Sequence, residues 1–493
     1  MAGLRDWMIE HRRELIVRLL LISAGGLYVY LFSYTTSPLY PKYYFGDAAE
    51  FLTIGKAWTT GKIPYKDFFD HKGPAIYFIN MLGFMLTGTK TGVFVIQCIF
   101  MAVTANVLFS MGKLRSNSSA YGGILVAMCL LILRGNYGEG NYVDEYCLTF
   151  VAASAYYQLK WFYNRTEKHS PYTAAFYGAA FGFCAMMRVT NAILVCAGVL
   201  IIAITLLIGR EYKNLLQNAV GFVIGFALVT VPFGVYFGVH GCFQDYIFAA
   251  FTYNFDYKAN IGRWIDGANA DTLRNFGNLY VSYFCGLAAA LLAFGRKSYL
   301  LSFWLIISFV LETYLFFGGA LFVQYPQVCL PQAAILLNEV YMLRFEEEEG
   351  MIKAVALGGM LIPCYLSLTQ RVPEFMNVYR NCHVEEFHYG AYESLLAQVP
   401  EEERDSLMAY GDNRFKGIYL AFDFMPAYKY YAIQEWKASF SDYVKEDTHA
   451  VFMNGDAKWI LTAGNTSVIQ DVLDQRYEVC ETVEDYVLFR LVH

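Results

Sequence analysis

Runs of roughly 20 apolar residues, the length needed to cross about 30 Å of hydrocarbon, recur along this chain between short polar segments. They fall near 15–34, 91–112, 120–134, 147–163, 172–188, 191–209, 215–237, 276–295, 299–320, 327–343 and 351–369. About eleven helical spans are therefore predicted. The apolar stretch 75–88 is too short to span and reads as an interfacial or re-entrant helix in the first outer loop. Beyond Thr369 the hydropathy falls. Segments 417–424, 458–462, 477–481 and 485–491 read as short strands around a helical 427–447. The predicted architecture is an α-helical polytopic membrane part, 1–370, followed by a small extracytoplasmic α/β domain, 371–493.

Charge gives the topology. With 75–88 not spanning, Arg12/Arg13, Lys113/Arg115, Arg165/Lys168, Arg210/Lys213, Arg296/Lys297 and Arg344 share one side. Short loops rich in Lys and Arg stay cytoplasmic. The amino terminus is then expected inside and, after eleven spans, the carboxy terminus outside. The first apolar run follows a basic head and lacks a small-residue cleavage site, so it reads as a retained anchor.

Composition agrees with a multi-pass cell-membrane protein. Of 493 residues, 57% are hydrophobic and only 16% charged, against about 25% charged in a soluble domain. The net charge of −6, with no Lys/Arg-rich run, gives nucleic acid no basic surface. Most of the eleven cysteines lie in apolar runs, and no CxxC or Cys/His ligand spacing occurs, so no zinc site is expected.

The opposite loops hold the acids. In the first, Asp47 follows the aromatic stretch Tyr43-Tyr44-Phe45 and precedes a helix expected over 48–59, where it reads either as a plain N-cap or as a reactive carboxylate. Gly61-Lys62-Ile63-Pro64-Tyr65 and Phe69-Asp70-His71-Lys72-Gly73-Pro74 come next. A later loop carries Glu139, Asp144 and Glu145, and Arg188 lies between two apolar runs beside Asn191. Arg188 reads either as snorkelling to lipid phosphate or, with Lys72, as gripping a bound phosphate. Ionisable groups this close to hydrocarbon are costly and tend to be functional or paired, and these share one side.

This order of motifs resembles the GT-C superfamily, and within it the protein O-mannosyltransferase and lipid A aminoarabinose transferase type, glycosyltransferase families 39 and 83. The resemblance is firmest over 40–195. It implies that a sugar moves from a polyprenyl-phosphate donor to an extracytoplasmic glycan, lipid or protein acceptor, with no cofactor and no metal. Asp47 matches the acidic residue proposed as base. Asp70-His71-Lys72-Gly73-Pro74 matches the acidic-Lys-Pro-Pro block, with Gly73 in place of the first proline. Val143-Asp144-Glu145 matches the second acidic motif, and Arg188 a Lys/Arg that meets the donor phosphate. Phe322-Val323-Gln324-Tyr325-Pro326 is similar to a late Tyr-rich motif, with Gln324 where many relatives have His.

A hydroxyl acceptor needs a base within hydrogen-bond reach, and the departing phosphate needs cations. The expected roles are Asp47 as base, Lys72 and Arg188 on the phosphate, and inversion at the anomeric carbon. Asp144 and Glu145 are left to bind sugar hydroxyls, orient Lys72 or hold a divalent cation; Asp70, His71, Asn191 and Tyr325 complete the substrate-binding set. The other class open to this sequence is a transporter or flippase for a lipid-linked or small polar substrate, which polar residues buried in mid-span would favour. A catalytically dead scaffold is a third.

Overall fold

The computed structural model describes residues 12–164, 168–343, 347–385 and 388–492. Arg165 and Arg344 lie outside them. Among the described residues seven helices are long and apolar enough to cross a membrane: Arg12–Phe32, Lys90–Lys113, Ser119–Asn136, Val189–Ile208, Tyr212–Val239, Tyr299–Phe317 and Glu349–His383. An eighth results if the pair Ala270–Leu279 and Val281–Gly295, bent by 67°, counts as one span. The Leu279 carbonyl at that bend accepts from Asn136 Nδ2 at 2.8 Å, so the broken ladder keeps a partner.

The expected eleven therefore corresponds to fewer helices that qualify by length and composition. The runs at 147–163, 172–188 and 327–343 are helical, over Val143–Asn164, Pro171–Ala185 and Leu330–Tyr341. The first opens with Asp144 and Glu145, and the other two are short. Leu330–Tyr341 is buried over most of its length and carries Gln332, Asn338 and Glu339 inside. A helix enclosed by others satisfies such groups internally.

The chain divides into two compact units. One comprises 1–33, 95–233 and 262–376. Here Pro171–Ala185 and Tyr212–Val239 approach closely because both present glycine. A Cβ on Gly178 would stand 1.9 Å from the Phe222 carbonyl oxygen, and one on Gly225 1.8 Å from that of Ala175. Helices without a hydrophobic drive between them associate through such small residues. In the same unit Arg115 and Arg296, from two loops expected to share a side, both reach the buried Glu339, at 3.4 and 3.8 Å.

The other unit joins 34–94, 234–261 and 377–493. It holds helices Gly46–Thr59 and Pro74–Thr87 of the first loop and a four-stranded mixed sheet, β1 (Leu407–Tyr410), β2 (Trp459–Ala463), β3 (Tyr477–Val483) and β4 (Tyr486–Leu491), in the order β1-β2-β4-β3. β1 and β2 run parallel and the other pairs antiparallel. Three strands lie where the sequence places them. The segment expected as a strand at 417–424 is instead the single helical turn Ile418–Ala421, and the all-buried β1 takes the sheet edge. Short buried apolar runs do not distinguish strand from helix by periodicity.

Gly225→Leu should lower the thermal midpoint in detergent, by the equivalent of about 1–3 kcal/mol, because the leucine side chain has no room at the Ala175 carbonyl. An unchanged midpoint would show that these two helices do not depend on that contact.

Candidate active site

Asp47 is the second residue of Gly46–Thr59, whose N-cap is Phe45 without a side-chain bond. Plain capping is thus not what Asp47 does. Its Oδ1 accepts from Lys416 Nζ at 2.6 Å. Lys416 Nζ also lies 3.4 Å from Glu50 Oε2. Glu50 Oε1 in turn accepts from Lys437 Nζ, which donates to the Phe69 carbonyl at 3.1 Å and lies 3.8 Å from Asp70 Oδ1. One turn of helix brings Asp47 and Glu50 onto one face, and the loop Phe69–Pro74 lays Asp70 beside them. The lysines come from the C-terminal segment. Gly417 allows this, since a Cβ there would stand 1.9 Å from the Tyr44 carbonyl oxygen.

The loop carrying Asp70 is pinned on several sides. Asp70 Oδ1 accepts from the His71 amide at 2.7 Å and Oδ2 from Tyr77 OH at 2.6 Å. Tyr65 OH donates to the Lys72 carbonyl and Asn254 Nδ2 to that of His71. The His71 ring packs against Tyr253, Tyr257 and Trp436. Lys72 Nζ lies 2.7 Å from His71 Nε2. That contact requires a neutral imidazole protonated on Nδ1, the nitrogen 3.2 Å from Asp70 Oδ1.

Burial and charge act against each other here. Burial alone would raise Asp47, but Lys416, and then Lys72, outweigh it and hold its carboxyl at about 2. Asp70 is likewise held well below the usual carboxylate range by Lys437 and His71 in spite of burial. Glu50, with both oxygens beside lysines and a side chain only 3% exposed, is pushed up by burial. Asp47 is 32% exposed. Of the three acids it alone is both ionised and open to an incoming group.

Asp144, Arg188, Asn191 and Tyr325 come together in the other unit. Arg188 donates Nη2 to Asp144 Oδ1, Nε and Nη2 to Asn191 Oδ1 at 3.0 and 2.6 Å, and stacks 3.7 Å over the Tyr325 ring. Asp144 therefore orients Arg188. Glu145 takes a separate part, accepting from Tyr137 OH at 2.6 Å and from Gln97 Nε2 and the Asn141 amide, each at 2.9 Å. It clamps the loop preceding its own helix. Among the described residues no group of three or more His, Cys, Asp or Glu side chains is disposed to hold a metal ion.

Sequence reasoning placed Glu50 in the dense Gly46–Phe51 block without giving it a role, and missed Lys416 and Lys437. Glu50 had a signal, one helical turn after Asp47. The lysines had none, being ordinary cations in a segment of soluble composition.

Residues 71–237 match the family described as dolichyl-phosphate-mannose-protein mannosyltransferase. In fold the chain is similar to ArnT from Cupriavidus metallidurans. The structure bound to undecaprenyl phosphate matches at TM-score 0.56 and 10% identity, and the apo structure at 0.57 and 12%. Each match covers 96% of this chain and 98% of the other. No curated protein matches the chain in sequence. The resemblance read from the sequence thus recurs in a family match over 71–237 and, as fold alone, in the likeness to ArnT.

His71 is held at about 4, below its ordinary 6.5, first by burial and then by Lys72. The unfolded chain therefore takes up a proton below pH 6.5 that the folded chain refuses until about pH 4. Stability should fall as the pH drops through that window, by up to about 3 kcal/mol. His71→Gln should flatten that part of the curve of thermal midpoint against pH; an unchanged slope would rule out His71 as its source.

Proposed function

We propose that this chain transfers a hexosyl or pentosyl group from a polyprenyl-phosphate carrier to an extracytoplasmic glycan, lipid or protein acceptor, with inversion. The observation that carries the reading is Asp47, an ionised and partly exposed carboxylate set among lysines in a chain with the ArnT fold. The donor class follows from the undecaprenyl phosphate named with that relative and from the dolichyl-phosphate-mannose of the matching family.

In this reading Asp47 takes the acceptor hydroxyl's proton as the hydroxyl attacks the anomeric carbon. The bond to phosphate breaks on the opposite side, which gives inversion without a covalent intermediate. A positioned base of this kind is worth about 10²–10⁴ in rate. Lys72 and Arg188 take up charge on the departing phosphate, Arg188 being held for that role by Asp144 and Asn191. Asp70 holds the His71 amide, Tyr65 the Lys72 carbonyl, and the His71 ring the Lys72 ammonium. The eleven-span topology, with the amino terminus cytoplasmic and the carboxy terminus outside, rests on the Lys/Arg asymmetry of the loops. The meeting of Arg115 and Arg296 at Glu339 supports it.

In a strain lacking the gene, mass spectrometry of envelope glycans identifies what is lost. Restoring Asp47→Asn should return less than about one hundredth of the wild-type product at normal membrane levels; near-normal product would remove Asp47 as base. Arg188→Ala should weaken binding of undecaprenyl phosphate by about tenfold or more, and an unchanged Kd would remove its phosphate role.

A further inference from the structure

The proposed base does not work alone, and its partner comes from a distant part of the sequence. Lys416 Nζ sits 2.6 Å from Asp47 Oδ1 and 3.4 Å from Glu50 Oε2, with its side chain only 4% exposed. An ammonium buried this far is held by its carboxylates. Lys416 caps the end of the turn Asn413–Phe415 and directly precedes the Gly417 contact, and the two fix its approach. Only one Asp47 oxygen is engaged by Lys416, and a third of the side chain remains exposed.

We propose that Lys416 is a positioning residue of the active site: delivered by the C-terminal segment, it orients the Asp47 carboxylate and keeps it ionised while leaving it accessible to the acceptor. This rests on the reading of Asp47 as base. Around Asp47 stand Lys416 and Lys72 as cations and Asp70 as an anion. Glu50 is a further anion on the same helix, and Lys437 a cation bonded to Glu50. Take Lys416 away and Asp47 is left with burial and two neighbouring acids against Lys72. The titration of Asp47 then moves up toward the working range, and whatever fraction holds a proton there cannot accept one. The ammonium also lowers the basicity of the carboxylate, so it trades base strength for a fully available base.

The test reads ionisation directly in the full chain reconstituted in lipid. Infrared spectra are recorded against pH, and the protonated-carboxyl band of Asp47 is isolated by subtracting the Asp47→Asn spectrum. In the wild type that band should be absent from about pH 4 to 8. In Lys416→Met, referenced to Lys416→Met/Asp47→Asn, its midpoint should rise by about one to three pH units, and Lys416→Arg should restore the wild-type spectrum. A midpoint unmoved in Lys416→Met overturns the proposal. If Lys416→Met fails to fold, Lys416→Gln and Lys416→Arg carry the same comparison, and a band that moves equally in both, with the charge lost or kept, overturns it too. The fate of the base reading is separate: it is decided by glycan restoration with Asp47→Asn, whatever the spectra of the Lys416 variants show.

Discussion

Carboxylates and ammonium groups withdrawn from water must be paired where they lie, and this constraint organises the unit built from 34–94, 234–261 and 377–493. Lys437 and Glu50, each with a side chain at most 3% exposed, satisfy one another, and Lys416 joins Glu50 to Asp47. Removing one member leaves its partner charged in a medium that solvates it poorly. The first loop and the C-terminal segment are therefore mutually required. A segment that looks in sequence like an appended soluble domain is, by its contacts, half of an acid–lysine cluster.

The same loop is held by a second kind of interaction. Backbone carbonyls of Phe69, His71 and Lys72 accept from Lys437, Asn254 and Tyr65, and the His71 ring packs against Tyr253, Tyr257 and Trp436. Three stretches far apart in sequence thus fix one turn. A turn fixed in this way holds Lys72 and the acids in one arrangement, the kind of preorganisation that spares a polar site reorganisation cost. Arg188 is treated alike in the other unit, where Asp144, Asn191 and Tyr325 leave its guanidinium a single orientation.

Polar side chains within the helical unit follow the logic of a low-dielectric interior. Gln332 donates to Glu312 at 2.6 Å, Gln327 to the Asn136 carbonyl, and Asn136 to the carbonyls of Leu279 and Val323. These bonds tie bent and short helices to their neighbours where apolar packing alone gives little preference. They also account for the helices that an apolar-run count treats as independent spans: such helices carry polar groups because other helices enclose them.

The sequence determined the class of this protein. Long apolar runs report membrane helices because hydrocarbon tolerates few charges, and Asp47, the block at 70–74 and Arg188 stood out because charged residues at a membrane edge are costly to keep. Three of four strands and the helical nature of every long apolar run were legible for the same local reasons. What only the tertiary structure decided was partnership. Lys416 pairs with Asp47 across 369 residues, and Lys437 with Glu50 across 387. Nothing in the periodicity of either segment marks those lysines apart from surface ones. An ion pair depends on two side chains meeting in space, and that meeting is set by how the whole chain packs.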